Sequence, residues 1–321
     1  MFTLNLPGLH WPHPDTLPPL DLPGLNTLMR FGRFQAAPAT PADFCFRQLN
    51  VHLSRPGRLP YAFASPVWQQ AGMHSVQILD SRVLAVSAAE AAILCDGLNR
   101  LYAEDGWRFE PLRPDLWLLN LPEAAEWQAP CVLDIVGQAD GTQRAVGSAQ
   151  AQWLQRQTEI QMWLHGQAVN QQRQADGLPP INGLWLWDSL PAEDGRTAAR
   201  LIGSDSPWAA FSRSETTPAP ESWAAWQAET AARGLAAADT ALYLDALATA
   251  AQCGDAHAYH SRLEAWEHSL FTPLWQDLQR GRLPALCLQT DGPAGGRLLL
   301  NARSGRRFWK RKKTFAGSLA A

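Results

Sequence analysis

The stretch "PPINGLWLWDSLP" (residues 179–191) contains the most apolar strand pattern of the chain. Side chains alternate along a strand, so Trp185 and Trp187 share one face and the intervening leucines share the other. A strand that is apolar on both faces is typical of the covered centre of a largely parallel sheet. The stretch therefore predicts a core strand, with both tryptophans packed inside the protein.

A polar pair, Asp188 and Ser189, follows this strand directly. Ligands bind outside the carboxyl ends of strands in open α/β sheets, which makes the pair a candidate binding site. The same residue types also suit an ordinary turn or helix cap.

Strands and helices alternate through the second half of the chain. A predicted helix at about 149–166 precedes the strand "INGLWLWD" and the short strand in "RTAARLIGSD". The helix "PESWAAWQAETAA" then leads to the strand "TALYLDAL", and a long helix with Asp255 as N-cap leads to two closing strands joined by the turn at 292–296. Such alternation indicates βαβ units and a largely parallel sheet. We therefore expect an α/β fold, with a central sheet that carries helices on both faces.

A smaller unit interrupts this pattern. Residues 73–148 give the order strand, strand, helix, strand, strand, with a hairpin turning at Asp80–Ser81 and a capping box formed by Ser87 and Glu90. The predicted domains are 1–72 (first part of the core), 73–148 (an inserted small α/β subdomain), 149–302 (remainder of the core) and 303–321 (a basic C-terminal tail). Within the first domain, 36–71 is expected to be irregular, with one or two helical turns.

Composition narrows the class of protein. The 321 residues are 46 % hydrophobic and 18 % charged, with a formal net charge of −3, so the chain as a whole is not a polyanion binder. Its 5 cysteines are scattered without a C-x-x-C pair, which favours reduced thiols over disulfides or a zinc ribbon. No apolar run approaches the ~20 residues of a membrane span, and we expect a cytoplasmic protein. The 15 tryptophans are mostly expected in the core.

The segment before the apolar strand gathers further polar candidates: His165, Asn170, Arg173 and Asn182. Arginine and asparagine can hold a phosphate or carboxylate, or can tie a loop to a sheet. Together with Asp188 and Ser189, these residues form the predicted ligand-binding set.

The tail "ARSGRRFWKRKKTF" holds all three lysines of the chain. Its predicted polyanion contacts, to RNA, DNA or an acidic membrane surface, are Arg306, Arg307, Lys310, Arg311, Lys312 and Lys313. The opposing interpretation is a solvated chain end whose aromatic residues dock on the body of the protein.

The block "LHGQAVNQQRQADGLPPINGLWLWDSLP" resembles a motif of the archaeal-type cofactor-independent phosphoglycerate mutases. The matching positions are His165, Val169, Asn170, Arg173, Gly177, Pro180, Asn182, Trp185, Leu186 and Trp187. The inserted unit and the last long helix are also similar to theirs, and the three blocks together resemble still more closely a bacterial group of RpfE-type, phosphoglycerate mutase-like regulatory proteins. The resemblance implies an alkaline phosphatase-like fold.

It also implies two divalent metals, Mn or Zn, and a Ser or Thr nucleophile, and here the sequence departs from the family. The turn after the first strand, Leu6–Leu9, lacks an acid. Leu133 stands where a His ligand is expected in "APCVLDIVG", although Asp134 remains, and Cys253 stands near the His position in "LATAAQCGD". Without ligands the metals cannot bind, and phosphoryl transfer loses its main charge stabiliser.

Two classes of function follow from these observations. The first is a mutase-like protein without the bimetal centre and without a cofactor, which acts as a regulatory or binding protein for a small acidic ligand or a partner protein. The second is an active phosphoglycerate mutase or phosphatase with two metals. Nucleic-acid contact through the basic tail is a further possibility.

Overall fold

The computed structural model describes residues 1–12, 14–53, 59–71, 76–79, 81–137, 144–192, 194–306 and 309–320. The chain divides into two compact units: a larger unit of 1–54 and 191–321, and a smaller unit of 55–190. The smaller unit is thus an insertion in the larger one along the chain, and it is wider than the predicted 73–148.

The elements follow in chain order. The larger unit begins with β1 (Phe2–Asn5), α1 (Pro23–Phe31), β2 (Arg33–Ala36) and α2 (Pro41–Gln48). The smaller unit contains β3 (Tyr61–Ala71), β4 (Val76–Leu79), α3 (Ser81–Leu84), α4 (Ala88–Leu101), β5 (Arg108–Arg113), β6 (Leu116–Asn120), α5 (Val132–Ile135), α6 (Gln150–His165), α7 (Ala168–Ala175) and β7 (Gly183–Trp187). The larger unit resumes with β8 (Leu201–Ser204), β9 (Glu215–Pro218), α8 (Trp223–Ala232), β10 (Thr240–Tyr243), α9 (Ala246–Cys253), α10 (Ala256–Trp266), α11 (Thr272–Gln279), β11 (Ala285–Thr290) and β12 (Gly296–Asn301).

A central sheet organises the larger unit. Over the described residues its strand order is β2-β12-β11-β1-β10-β8-β9. The five strands from β11 to β9 are parallel, and β12 and β2 are antiparallel additions at one edge. The predicted α/β class with a central, mostly parallel sheet is confirmed.

One face of this sheet carries the apolar core of the larger unit. Phe2, Leu4 and Leu242 are fully buried on that face, together with apolar side chains of α1, α8, α10 and α11. A turn of π-helix at Glu267–Phe271 joins α10 to α11, and the Asp255 side chain accepts from the amide of Ala258 as the predicted N-cap. Burying aliphatic side chains contributes roughly 1.5–3 kcal/mol each, so this layer holds the helices to the sheet.

The opposite face carries α2 and is more polar. The rings of Phe44 in α2 and Tyr243 in β10 lie 6.1 Å apart. The Gln289 side chain in β11 donates to the side-chain oxygens of Gln48 (3.1 Å) and Asn5 (3.0 Å), and all three residues are buried. Helices therefore cover both faces of the sheet, as predicted.

The smaller unit has an antiparallel sheet of its own. Its described strands run in the order β4-β3-β6-β5, and β7 also pairs with β3. The 11-residue β3 is long enough to pair with β6 and β7 near its start and with β4 near its end.

The apolar strand quoted at the outset is this β7, and it differs from the prediction in its partners. It is buried throughout, as expected, but it pairs antiparallel with β3 and belongs to the smaller sheet. An antiparallel strand is also apolar on both faces when both are covered. Here the two tryptophans on one face and Leu184 and Leu186 on the other are all at most 3 % exposed. Burial on both faces does not by itself identify a parallel sheet.

Two local predictions were wrong. Residues 36–71, expected to be irregular apart from one or two helical turns, contain the whole of the 11-residue strand β3, whereas the 8-residue α2 agrees with the expected helical turns. The hairpin expected to turn at Asp80–Ser81 is absent from the described residues: β4 pairs with β3, and Ser81–Leu84 is a helical turn. In the described part of the chain, no helix is both long enough and apolar enough to cross a bilayer.

Candidate functional site

Two predicted ligand-binding residues tie loops to the smaller sheet. The Asn170 side chain donates to the carbonyls of Leu164 and Ile181, both at 2.8 Å, and accepts from the amide of Ile181 at 2.8 Å. The Asn182 side chain accepts from the amide of Gln69 (2.7 Å) and donates to its carbonyl (2.9 Å). Each side-chain amide thus both donates to and accepts from the backbone, as the backbone of a neighbouring strand would.

Arg173 lies in the same region and is only 1 % exposed. Its guanidinium donates to Glu90 (2.8 Å), to the carbonyl of Pro179 (2.8 Å) and to the carbonyl of Leu84. The charge is paired with Glu90, whose carboxylate also completes the predicted capping box with Ser87. These bonds hold α4, α7 and the loop before β7 together, which is the structural role that the sequence left open.

Two of the remaining three predicted ligand-binding residues, Asp188 and Ser189, lie apart from this cluster. Asp188 and Ser189 follow β7 whereas Asn182 precedes it, and at ~3.3 Å per residue the strand separates its two ends by roughly 20 Å. Asp188 accepts from the amide of Ala129 at 2.8 Å, yet burial raises the pKa of its carboxyl above the ordinary value. Ser189 and His165 are exposed. The structure therefore does not gather the six residues into one site.

The basic tail is partly anchored to the larger unit. The Lys310 ammonium donates to the carbonyls of Phe31 (3.2 Å) and Gly32 (3.3 Å), where a cation complements the C-terminal end of α1. Arg311 and Lys312 are exposed and Lys313 is half-buried. Arg306 ends a short 3-10 turn, and Arg307 lies outside the described residues.

A cleft of about 740 Å³ lies beside Lys310 in the larger unit. It opens at the amino-terminal ends of β1 and β11, on the opposite side of the sheet from their carboxyl ends. The register pairs Arg33 with Leu299 and Asn301 with Ala285, which brings the start of β2 and the end of β12 to this edge. The cations in its lining are Arg33, Arg303 and Lys310, and none of the described lining residues is acidic. We call this site the basic cleft.

The turn that carries Arg303 is fixed by its own side chains. The amide of Arg303 donates to the Asn301 side chain at 2.9 Å, and the amide of Asn301 donates to the Ser304 hydroxyl at 3.0 Å. This local bonding sets the backbone of the turn. Arg30 is a further nearby cation: its guanidinium donates to the carbonyl of Lys310 at 2.8 Å and lies 4.9 Å from the centre of the Phe31 ring.

The carboxyl ends of the parallel strands form a second polar region in the larger unit. Asp205 follows β8, Asp245 follows β10 and Asp291 follows β11. Asp205 accepts from the amide of Asp245 (2.5 Å), Asp245 accepts from the hydroxyl of Ser206 (3.0 Å), and Asp291 accepts from the amide of Gly8 (2.8 Å). Each carboxylate thus has a structural partner of its own. Burial raises the pKa of Asp205 despite these amide contacts.

Sequence reasoning missed these three aspartates, although a signal was present. The segments "LIGSD", "LYLD" and "LQTD" each place an aspartate at the end of an apolar strand, as does "LWLWD". Only the last was selected as a candidate, and it belongs to the other sheet. Repetition of the pattern at three strand ends would have indicated the polar edge of the central sheet.

The residues at the carboxyl ends of the parallel strands do not fit a two-metal centre. Within the described ranges, no group of three or more His, Cys, Asp or Glu side chains is placed to hold a metal ion. Asp255, kept from the expected ligand block, caps α10, and Cys253 ends α9. Leu133 and Asp134 lie in α5 of the smaller unit, a different unit from the other two blocks.

No family model matches the sequence, and no curated protein sequence matches it. Among solved structures, the fold overlaps with a cofactor-independent phosphoglycerate mutase from Thermoplasma acidophilum at 15 % identity, with 99 % of this chain and 94 % of that chain covered and a TM-score of 0.44. It also overlaps with the PH0037 protein from Pyrococcus horikoshii at 12 % identity, with coverages of 98 % and 91 % and a TM-score of 0.43. Overlaps this loose assign neither a family nor an activity.

Proposed function

We propose that the protein binds phosphate-bearing anions in the basic cleft, and that it acts through binding rather than through metal-dependent phosphoryl transfer. The observation that carries this proposal is the lining of the cleft: three cationic residues line a cleft of about 740 Å³ with no acidic side chain among the described lining residues. A regulatory protein needs to bind its anionic ligand but does not need to convert it.

The chemistry of the lining favours phosphate over other ligands. Arginine presents a planar fork of N–H donors that matches the oxygens of phosphate, and it remains charged at any physiological pH. A concave site lined by one sign of charge concentrates counter-ions, even on a protein whose net charge is slightly negative. Asn301 and Ser304 add neutral polar groups to the same lining.

The residues at the carboxyl ends of the parallel strands support the proposal that the protein does not act through metal-dependent phosphoryl transfer. A two-metal mechanism needs several carboxylate or imidazole ligands that converge on each ion. Asp205, Asp245 and Asp291 instead accept from two backbone amides and a serine hydroxyl. Their bonds stabilise the ends of three strands and the start of α9.

Binding can be tested with linear polyphosphate in isothermal titration calorimetry. The double variant Arg33→Ala/Arg303→Ala removes two of the three cations of the cleft, and we expect it to lose at least tenfold in affinity. Arg262→Ala is the matched control, since Arg262 is exposed on α10 and interacts with Asp205 at the opposite edge of the sheet. Equal affinity of the double variant and the control would overturn the basic cleft as the site.

Catalysis needs a separate test. The purified protein is analysed for Mn, Zn and Mg, and conversion of 3-phosphoglycerate to 2-phosphoglycerate is assayed with added Mn. We expect substoichiometric metal and no turnover. Stoichiometric metal together with turnover would show an active mutase and contradict the proposal, and phosphate release from the substrate would show a phosphatase.

A further inference from the structure

We propose that the anion bound in the basic cleft is single-stranded nucleic acid, and that Trp309 stacks on one of its bases. This inference rests on the proposed function, because it assigns the phosphates of the strand to the same cations. It adds a contact that phosphate alone does not need.

Trp309 differs from the other tryptophans of the chain. It is 70 % exposed, whereas the remaining 14 of the 15 tryptophans are buried or half-buried. Exposed apolar surface costs about 25 cal/mol per Å² relative to burial, so a ligand that covers the exposed part of this ring gains free energy. A nucleic-acid base offers a flat π-face of matching size.

The position of Trp309 links it to the basic cleft. It directly precedes Lys310, which lines the cleft, and it is followed by the exposed cations Arg311 and Lys312. An aromatic ring between cations is the arrangement with which proteins hold single strands: the cations follow the phosphates and the ring stacks on a base.

The segment that carries Arg311 and Lys312 is anchored at both ends, and Trp309 adjoins the first of these anchors. On one side the Lys310 ammonium is bonded to the carbonyls that end α1. On the other side Phe315 is 2 % exposed, and its amide donates to the Asn26 side chain at 2.7 Å. Residues 311–314 are thus held between fixed points, so little conformational entropy remains to be lost when a strand binds.

The observations favour a single strand over other polyanions. A duplex hides the faces of its bases in the stack, and polyphosphate has no base to cover Trp309. An anionic membrane could accept both the cations and the tryptophan, but the cations line a concave surface, which a flat bilayer follows less closely than a flexible chain does. A flexible strand can follow the concave surface.

The test compares two ligands with the full-length protein. Fluorescence anisotropy measures binding of a labelled oligothymidine, and linear polyphosphate serves as the base-free probe. Trp309→Ala should weaken oligothymidine binding by about 5- to 150-fold, the range that ~1–3 kcal/mol of base stacking gives at 1.4 kcal/mol per tenfold. Polyphosphate affinity should change less than twofold, and Trp309→Phe should retain most of the oligothymidine affinity.

The outcomes separate this inference from the function on which it rests. Binding of polyphosphate without binding of oligothymidine overturns the inference and leaves the proposed function in place. Binding of neither overturns both. An equal loss of both affinities in Trp309→Ala overturns base stacking, since the ring would then only position the cations. Binding to phosphatidylserine vesicles without binding to oligothymidine overturns the inference in favour of a membrane surface.

Discussion

The backbone amide of Gly8 donates to the carboxylate of Asp291 at 2.8 Å, across 283 positions of sequence. The bond joins the turn after β1 to the end of the neighbouring parallel strand β11. The turn itself has no acidic residue, and the adjacent strand supplies one. Asp291 therefore fixes the turn after β1 to the carboxyl end of β11.

Replacing Asp291 tests that structural role. Asp291→Ala removes the acceptor from the Gly8 amide, and hydrogen bonds to charged groups are worth ~1.5–3 kcal/mol, so the free energy of unfolding should fall by about that amount. Asp291→Asn keeps an oxygen acceptor and should cost clearly less. Urea unfolding of both variants measures the difference, and equal losses would contradict a role through this bond.

Gly8 itself should tolerate no side chain. Its φ is +71°, and a Cβ atom built there would lie 2.7 Å from the Cα of Ala248 in α9. We expect Gly8→Ala to lower the free energy of unfolding by at least ~1–3 kcal/mol, because a left-handed backbone strain adds to the clash. Gly234→Ala is a matched control: its φ is also positive, at +63°, but no atom lies within 4 Å of its added Cβ. A loss at Gly8 no larger than at Gly234 would exclude the clash as a cause.

The ion pair between buried Arg173 and half-buried Glu90 allows a comparison with an exposed residue of the same predicted set. Arg173→Ala removes the donor to the Glu90 carboxylate and to two backbone carbonyls, and we expect a loss near the lower end of the ~3–5 kcal/mol that breaking a buried pair costs. His165→Ala changes an exposed residue and should stay within about 0.5 kcal/mol of the parent. Both were predicted as ligand-binding residues. Similar, small effects of the two substitutions on unfolding would contradict the structural role of Arg173.

Local patterns in the sequence predicted the elements that depend on local contacts. The N-cap at Asp255, the capping box of Ser87 and Glu90, and the turn at 292–296 involve bonds between residues a few positions apart. The strands β1, β8 and β10 were also predicted, because short apolar runs bounded by turn residues identify a strand without its partners.

The partners of a strand follow from tertiary contacts that its own pattern does not contain. The alternation in β7 is equally compatible with either sheet, and its pairing with β3 depends on a strand that was expected to be irregular. The basic cleft likewise depends on tertiary contacts that are not visible in the local sequence. Arg33 and Arg303 lie far apart in sequence, and both line the cleft because β2 and β12 are neighbours in the sheet. Charge clustering along the chain indicated only the Lys310 side of that cleft.

The pH dependence of stability should report on Asp205. Burial is the main cause that raises its folded-state pKa above the ordinary 3.8, so the protonated acid is favoured in the folded protein. The resulting stabilisation is present below about pH 3.8 and is lost as the pH rises through the raised pKa. The stability of the parent relative to Asp205→Asn should therefore decline as the pH rises through that range. Thermal unfolding at a series of pH values measures this difference, and a pH-independent difference would contradict the assignment.

Salt dependence tests how many cations of the basic cleft contact a bound strand. Each phosphate neutralised by a cation changes the slope of log K against log salt by about −0.7 for single strands. If Arg33 and Arg303 each contact one phosphate, Arg33→Ala/Arg303→Ala should reduce the magnitude of the slope for oligothymidine by about 1.4. Arg262→Ala, at the opposite edge of the sheet, should leave the slope unchanged. Trp309→Ala should weaken binding at every salt concentration without altering the slope, because stacking releases no counter-ion. A slope that the double variant does not change would place the phosphates elsewhere.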